Sequence, residues 1–155
     1  MEIERKFLVS GDFMSFAKEK RYIKQGYLVN NDSIQVRVRI KGNHGYLTVK
    51  SNNKELSRYE NEIVIPYDMA GIILDDCPTL IEKIRYIAEY KGHTFEIDEF
   101  LGDNKGLVIA EVELSSEDEE VELPPFLGEE VTGDERYYNS YILMHPFNKD
   151  FYAER

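Results

Sequence analysis

Charged residues recur at alternate positions along this chain of 155 residues. Glu2, Glu4 and Lys6 are spaced by two, as are Arg37 and Arg39, then Arg58, Glu60 and Glu62, then Lys83 and Arg85, then Glu111 and Glu113, with Lys50 and Asp98 in similar settings. In an extended strand residues i and i+2 point to the same side. Each set therefore shares one face and leaves the other to apolar neighbours such as Val36, Val38 and Ile40, or Ala110, Val112 and Leu114. One strand of this kind is ordinary, because half-buried sheets keep a polar face in water. Like charges repeated along most strands repel unless opposite charge lies among them, so the pattern points to one face with an acidic and a basic sector. The cations Lys6, Arg37, Arg39, Lys50, Lys83 and Arg85 suit a polyanion, with arginine offering bidentate contacts to phosphate oxygens. The carboxylates Glu2, Glu4, Glu60, Glu62, Asp98, Glu111 and Glu113 are hard donors suited to Mg2+ or Mn2+. Together they describe metal-assisted phosphoryl transfer, in which a divalent ion neutralises charge and lowers the pKa of an attacking water.

The elements that position these groups are mostly strands. Alternation and turn residues predict strands over Glu2–Val9, Tyr22–Val29, Ser33–Lys41, Gly45–Ser51, Arg58–Ile65, Thr79–Tyr90, His93–Leu101 and Leu107–Leu114. Lys41-Gly42-Asn43-His44-Gly45 and Lys91-Gly92 read as hairpin turns. Helices are expected from a cap at Ser10 or Asp12 through Glu19, from Asp68 through Leu74, and from Asp134 through Tyr138 to Leu143. Glu117–Glu122 followed by Pro124-Pro125 reads as a solvated acidic loop and turn. The fold class is α+β, mainly antiparallel β. If the sheet closes with its charged face inward, the charges line a polar lumen and helices or a partner chain must cover the apolar outer face.

Read in order, the motifs resemble those of the CYTH domains, also called triphosphate tunnel metalloenzymes. The similarity starts at Glu2-Ile3-Glu4-Arg5-Lys6, an ExExK signature, and runs through Gln25-Gly26-Tyr27-Leu28, Val36-Arg37-Val38-Arg39, Leu47-Thr48-Val49-Lys50 and Arg58-Tyr59-Glu60-Asn61-Glu62. It continues through Glu82-Lys83-Ile84-Arg85, Ile97-Asp98-Glu99-Phe100 and Ala110-Glu111-Val112-Glu113-Leu114 to Gly128-Glu129-Glu130-Val131-Thr132 and Arg136-Tyr137. The resemblance implies a closed barrel of eight antiparallel strands enclosing a charged tunnel, a single domain over residues 1–155, and action on triphosphate groups with Mg2+ or Mn2+. It implies that Lys6, Arg37, Arg39, Lys50, Lys83, Arg85 and Arg136 hold phosphates, with Arg58 a less secure member of that set. It implies metal binding by Glu2, Glu4, Glu111 and Glu113, with Asp98 as a further metal ligand and Glu60 and Glu62 orienting water or a second ion. The catalytic set is then Glu2, Glu4, Lys6, Glu60, Glu62, Lys83 and Arg85. Short single-domain members are similar to inorganic tripolyphosphatases. The alternatives are a class IV-type adenylyl cyclase, a nucleoside or thiamine triphosphatase, and a non-catalytic polyphosphate-binding module.

Bulk composition narrows the partners. Nineteen Lys+Arg against thirty Asp+Glu give a net charge of −11, which repels long nucleic acids and anionic membranes. Much of the excess sits in Asp75-Asp76, Glu117–Glu122, Glu129-Glu130 and Asp134-Glu135, outside the expected tunnel. No apolar run approaches the roughly 20 residues of a membrane helix. A lone Cys77 and the absence of an apolar stretch after the first residues make a reducing cytoplasm the expected compartment. Scattered His44, His93 and His145 offer no zinc spacing, and there is no Walker A loop, so any phosphate is bound by side chains. A homodimer is a further expectation, as cover for a bare outer wall.

Overall fold

The computed structural model describes residues 3–31, 33–51 and 60–147. Its elements are β1 (Ile3–Val9), β2 (Ala17–Asn30), β3 (Ile34–Lys41), β4 (His44–Ser51), β5 (Glu60–Ile65), α1 (Tyr67–Asp75), β6 (Leu80–Tyr90), β7 (His93–Phe100), β8 (Val108–Leu114), β9 (Leu127–Glu130) and α2 (Asn139–Met144). Among the described residues the fold is mostly antiparallel β with two α-helices.

The chain divides into two units, one of residues 1–21 and 83–155 and one of residues 22–82. In the unit of residues 22–82 the strand order is β5-β4-β3-β2, and in the other it is β6-β7-β8-β1-β9. Among the described residues β5 pairs only with β4 and β9 only with β1. The expected mainly antiparallel fold is present; among the described residues there are nine strands instead of eight, and neither ladder closes on itself through hydrogen bonds, which gives the expected closed barrel only loose support. The added strand, Leu127–Glu130, pairs with β1 across a register shift between Phe7 and Val9.

Each unit buries the apolar face that its alternation creates. Val38 and Ile40 of β3 and Ile65 of β5 pack with Ala70 and Leu74 of α1 and with Cys77. Gly45 permits this approach, because a Cβ there would lie 2.8 Å from Ala70 Cβ. In the other unit Tyr86, Ala88, Ile97 and Ala110 are covered by Phe13 and Phe126, while Phe7, Phe95, Val112 and Leu114 form an adjoining cluster.

Three helix expectations change. The segment after Ser10 makes only a 3-10 turn, Met14–Phe16, and then enters β2 at Ala17. Phe13 packs edge-on to Tyr86 and Phe16 against Phe126, and Lys18 meets Glu89 at 2.9 Å. These tertiary contacts override the helical propensity of Ala17-Lys18-Glu19. The helix α1 starts from Pro66, and Asp68 lies in its first turn instead of capping it. Asp134 does cap, accepting from the Arg136 backbone N–H, but the turn it starts covers only Glu135–Tyr137. Tyr138 returns to extended backbone (φ −78°, ψ 142°) before α2 begins. Both hairpin turns are present: Gly42 adopts φ 61°, and Lys91 and Gly92 adopt φ 46° and 87°.

Candidate functional site

In the unit of residues 1–21 and 83–155, register brings the expected charges into rows. Lys6 lies opposite Glu111 and Glu4 opposite Glu113 on β1 and β8, Glu96 opposite Glu111 on β7 and β8, and Arg85 opposite Asp98 on β6 and β7. Two glutamates facing each other destabilise a sheet unless compensated. For the Glu96–Glu111 pair each carboxylate has a cation, with Arg85 Nη1 3.2 Å from Glu96 and Lys6 Nζ 3.2 Å from Glu111.

Lys83 is the most deeply placed charge, with 1% of its side chain exposed. Its ammonium lies 2.9 Å from Asp98 Oδ2, donates to Asn139 Oδ1 at 3.4 Å and sits over the Phe100 ring. The same carboxylate accepts from Arg85 Nε and Nη2 at 2.8 and 3.0 Å. Burial pushes the Asp98 pKa up, but Lys83 and Arg85 overcome it and hold the group at about 2. Burial and the Arg85 charge lower the Lys83 pKa against the pull of Asp98. Arg85 is also buried, yet hydrogen bonding and charge from Asp98 raise its pKa. Lys83 and Arg85 share the buried Asp98, and Arg85 reaches Glu96 as well, so the two cations are fixed in place beside the carboxylates of this face. Lys6 is held differently: its ammonium donates to the Tyr137 carbonyl at 3.2 Å and lies over the Tyr138 ring.

Beside these cations a cavity of about 640 Å3 is walled by the carboxylates of Glu4, Glu96, Glu111, Glu113 and Glu119, with His93, Thr94 and Ser115. Hydrogen bonds from the Ser115 hydroxyl, the Ser115 backbone N–H and His93 hold the Glu119 pKa at about 2. His93 Nε2 is 2.5 Å from Glu119. Among the described residues no group of three His, Cys, Asp or Glu side chains is arranged to hold an ion alone. The hard-oxygen lining fits a cation of the Mg2+ type, which takes one or two carboxylates and completes its octahedron with water and phosphate oxygens.

In the unit of residues 22–82 the basic sector lies on β3 and β4. Register aligns Tyr27, Arg37, Thr48 and Glu62 in one row and Gln25, Arg39 and Tyr46 in the next. Arg39 Nη2 is 3.1 Å from Glu62, Arg37 Nη2 is 3.8 Å from it, and the Thr48 hydroxyl donates to it at 2.7 Å. Burial raises the Glu62 pKa, and the Thr48 hydrogen bond with the charges of Arg39 and Arg37 brings it below the usual carboxylate range. Lys50 and Glu60 pair at 3.6 Å on the more open part of this face.

The structure thus gathers Glu4, Lys6, Lys83, Arg85, Asp98, Glu111 and Glu113 in one unit and Arg37, Arg39, Lys50, Glu60 and Glu62 in the other. Glu2 and Arg58 lie outside the described residues. Arg136 forms a fork with Asp134 of its own turn, through Nε at 2.9 Å and Nη2 at 2.5 Å. Asp98, expected as a metal ligand, has both oxygens engaged by Lys83 and Arg85. Asn139, Tyr138 and Glu96 were absent from the expected site. Strand parity with Asp98 is the signal that would have added Glu96, whereas no local pattern marks Asn139.

Comparison with known proteins follows the same lines. The CYTH domain family model matches residues 1–138. An inorganic triphosphatase of Acetivibrio thermocellus is 47% identical over 149 residues, covering 94% of this chain and 95% of that protein. An inorganic triphosphatase of Nitrosomonas europaea is 38% identical over 148 residues, covering 92% and 97%. The crystal structure of the inorganic triphosphatase NE1496 superposes with a TM-score of 0.77 at 36% identity, over 93% of this chain and 95% of that one.

Proposed function

The chain belongs to the CYTH domain family, and from that premise we propose that it is an inorganic triphosphatase that hydrolyses tripolyphosphate with a divalent metal, Mg2+ or Mn2+. The observation that carries this reading is the buried Lys83–Asp98–Arg85 cluster on the same sheet face as the acidic cavity. Lysines and arginines there provide fixed cations for a phosphate chain, and the neighbouring carboxylates provide hard oxygen for a cation. The near full-length similarity to proteins named inorganic triphosphatases supports the choice of substrate.

In this proposal the phosphate-binding cations are Lys6, Arg37, Arg39, Lys50, Lys83 and Arg85, with Arg58 and Arg136. Asp98 positions Lys83 and Arg85 through its two oxygens. Glu2, Glu4, Glu111 and Glu113 hold the metal, and Glu60 and Glu62 orient water. When bound, the ion neutralises charge on the transferring phosphoryl group and acidifies a bound water. Water oxygen bonds to a terminal phosphorus, the bridging P–O bond breaks, and orthophosphate and pyrophosphate leave. Fixed cations aimed at the developing charge lower the barrier without reorganising. The family match runs through both units, which supports treating residues 1–155 as one working domain. No helix among the described residues is long and apolar enough to cross a membrane. A cytoplasmic site of action is part of the proposal, in keeping with the single thiol of Cys77.

The test is phosphate release from tripolyphosphate by the full chain with and without Mg2+ or Mn2+, beside ATP, GTP, thiamine triphosphate and RNA 5′-triphosphate. The expected result is metal-dependent release, fastest from tripolyphosphate and lost in Glu4→Gln. Absence of release, or release that Glu4→Gln leaves intact, sinks the proposal, and cyclic AMP formed from ATP replaces it with a cyclase.

A further inference from the structure

Gln25, on β2, is 2% exposed, and its side-chain Nε2 has no hydrogen-bond acceptor among the described residues. Buried amides in folded proteins are nearly always paired, so an orphan donor calls for an explanation. Its position supplies one. Gln25 lies directly opposite Arg39, and Tyr27 directly opposite Arg37, so Gln25 shares the face that carries the two arginines. A second donor on this face is in the same condition. Arg37 turns Nη2 toward Thr48 and Glu62, while its Nε is buried without an acceptor among the described residues. Two N–H groups on the same face of neighbouring strands thus lack an acceptor among the described residues beside two arginines, and anionic oxygens are the acceptors that such donors suit.

We propose that Gln25 is a substrate-positioning residue whose carboxamide N–H donates to a non-bridging oxygen of the phosphoryl group held by Arg37. This rests on the triphosphatase reading for the identity of the anion. A neutral donor is well suited to the place: it adds direction to the grip without burying a third cation beside Arg37 and Arg39. The step is hydrogen bonding alone, with no covalent change.

The test uses the full-length protein with Gln25→Met and Gln25→Glu. Met keeps the volume and removes the donor, and Glu keeps the shape and replaces the donor with an acceptor. For Gln25→Met the expected results are a ligand-free melting temperature equal to or above that of the parent, because the orphan is gone. KM for tripolyphosphate with Mg2+ rises roughly ten-fold, the effect of one hydrogen bond to a charged acceptor, while kcat changes by less than about two-fold. The rise in melting temperature caused by tripolyphosphate in EDTA shrinks, and Gln25→Glu shows a larger rise in KM. A lower ligand-free melting temperature with KM and the ligand-induced shift unchanged assigns Gln25 to the core and overturns the proposal. So does an unaltered KM in Gln25→Glu. If the parent binds tripolyphosphate in EDTA but releases no phosphate from it when Mg2+ or Mn2+ is supplied, and Gln25→Met loses that binding, the hydrolase reading fails while the role of Gln25 stands.

Discussion

Asp98→Asn isolates the contribution of the buried charge cluster. The substitution preserves shape and an acceptor for Arg85 but leaves Lys83, with 1% of its side chain exposed, without a counter-ion. Lys83 and Arg85 hold the Asp98 carboxyl at about 2, below the ordinary 3.8, and a shift of that size corresponds to about 2 kcal/mol at neutral pH. Removing one partner of a buried pair costs about 3–5 kcal/mol, so the two figures together set an expected loss of about 2–5 kcal/mol. The sign is fixed by the direction of the shift. Because the folded-state pKa lies below the unfolded one, the stabilisation is fully present above pH 3.8 and is lost as pH falls toward about 2. Roughly half remains at pH 3. Urea unfolding of parent and variant at pH 7 and pH 3 measures this, with a common m-value as the check on two-state behaviour. Adding Lys83→Met to Asp98→Asn removes the stranded cation, so the double variant should recover part of the loss, and the cycle gives the coupling. A cost at pH 7 below about 0.5 kcal/mol, or one that is the same at pH 3, would refute the account of this cluster as an electrostatic unit.

Two further outcomes follow from packing. Gly45→Ala sets a methyl 2.8 Å from Ala70 Cβ and 3.0 Å from the Ile65 carbonyl, so α1 must shift and stability should fall by about 1–3 kcal/mol, read by thermal unfolding; an unchanged melting temperature would mean that α1 has slack. A chain ended after Val131 loses the Tyr137 carbonyl from Lys6, Asn139 from Lys83 and the buried Ile142 and Leu143. Both the melting temperature and phosphate release should drop, and full activity in that chain would make the segment peripheral.

Much of the charged face was legible because the side-chain period of a strand is two, so Arg37 and Arg39 or Glu111 and Glu113 declare their common face without tertiary information. The depth of each charge was not. Lys6 and Lys83 have the same parity signal as Lys50, yet Lys83 is sealed by Phe100, Asp98 and Asn139 while Lys50 is more open. Such enclosure depends on residues far apart in the chain. β9 escaped notice because Leu127-Gly128-Glu129-Glu130 lacks alternation and is set by its pairing with β1. The expected helix from Asp134 had a correct start and a wrong length. A continuous helix would commit the Tyr137 carbonyl to the Tyr141 N–H, whereas that N–H bonds to Tyr138 and the Tyr137 carbonyl goes to Lys6.

That last contact bears on how this protein answers to genetics. The acceptor for Lys6 is a peptide oxygen, which every amino acid at position 137 would supply. A scan of single substitutions would therefore register the loss of the Tyr137 ring from the interior and leave the oxygen in place. Only changes to the course of the backbone, such as a one-residue insertion between Asp134 and Asn139, alter where that oxygen points. With Lys6 binding phosphate as proposed, activity should depend on length in this stretch in a way that no pattern of side-chain tolerance would disclose.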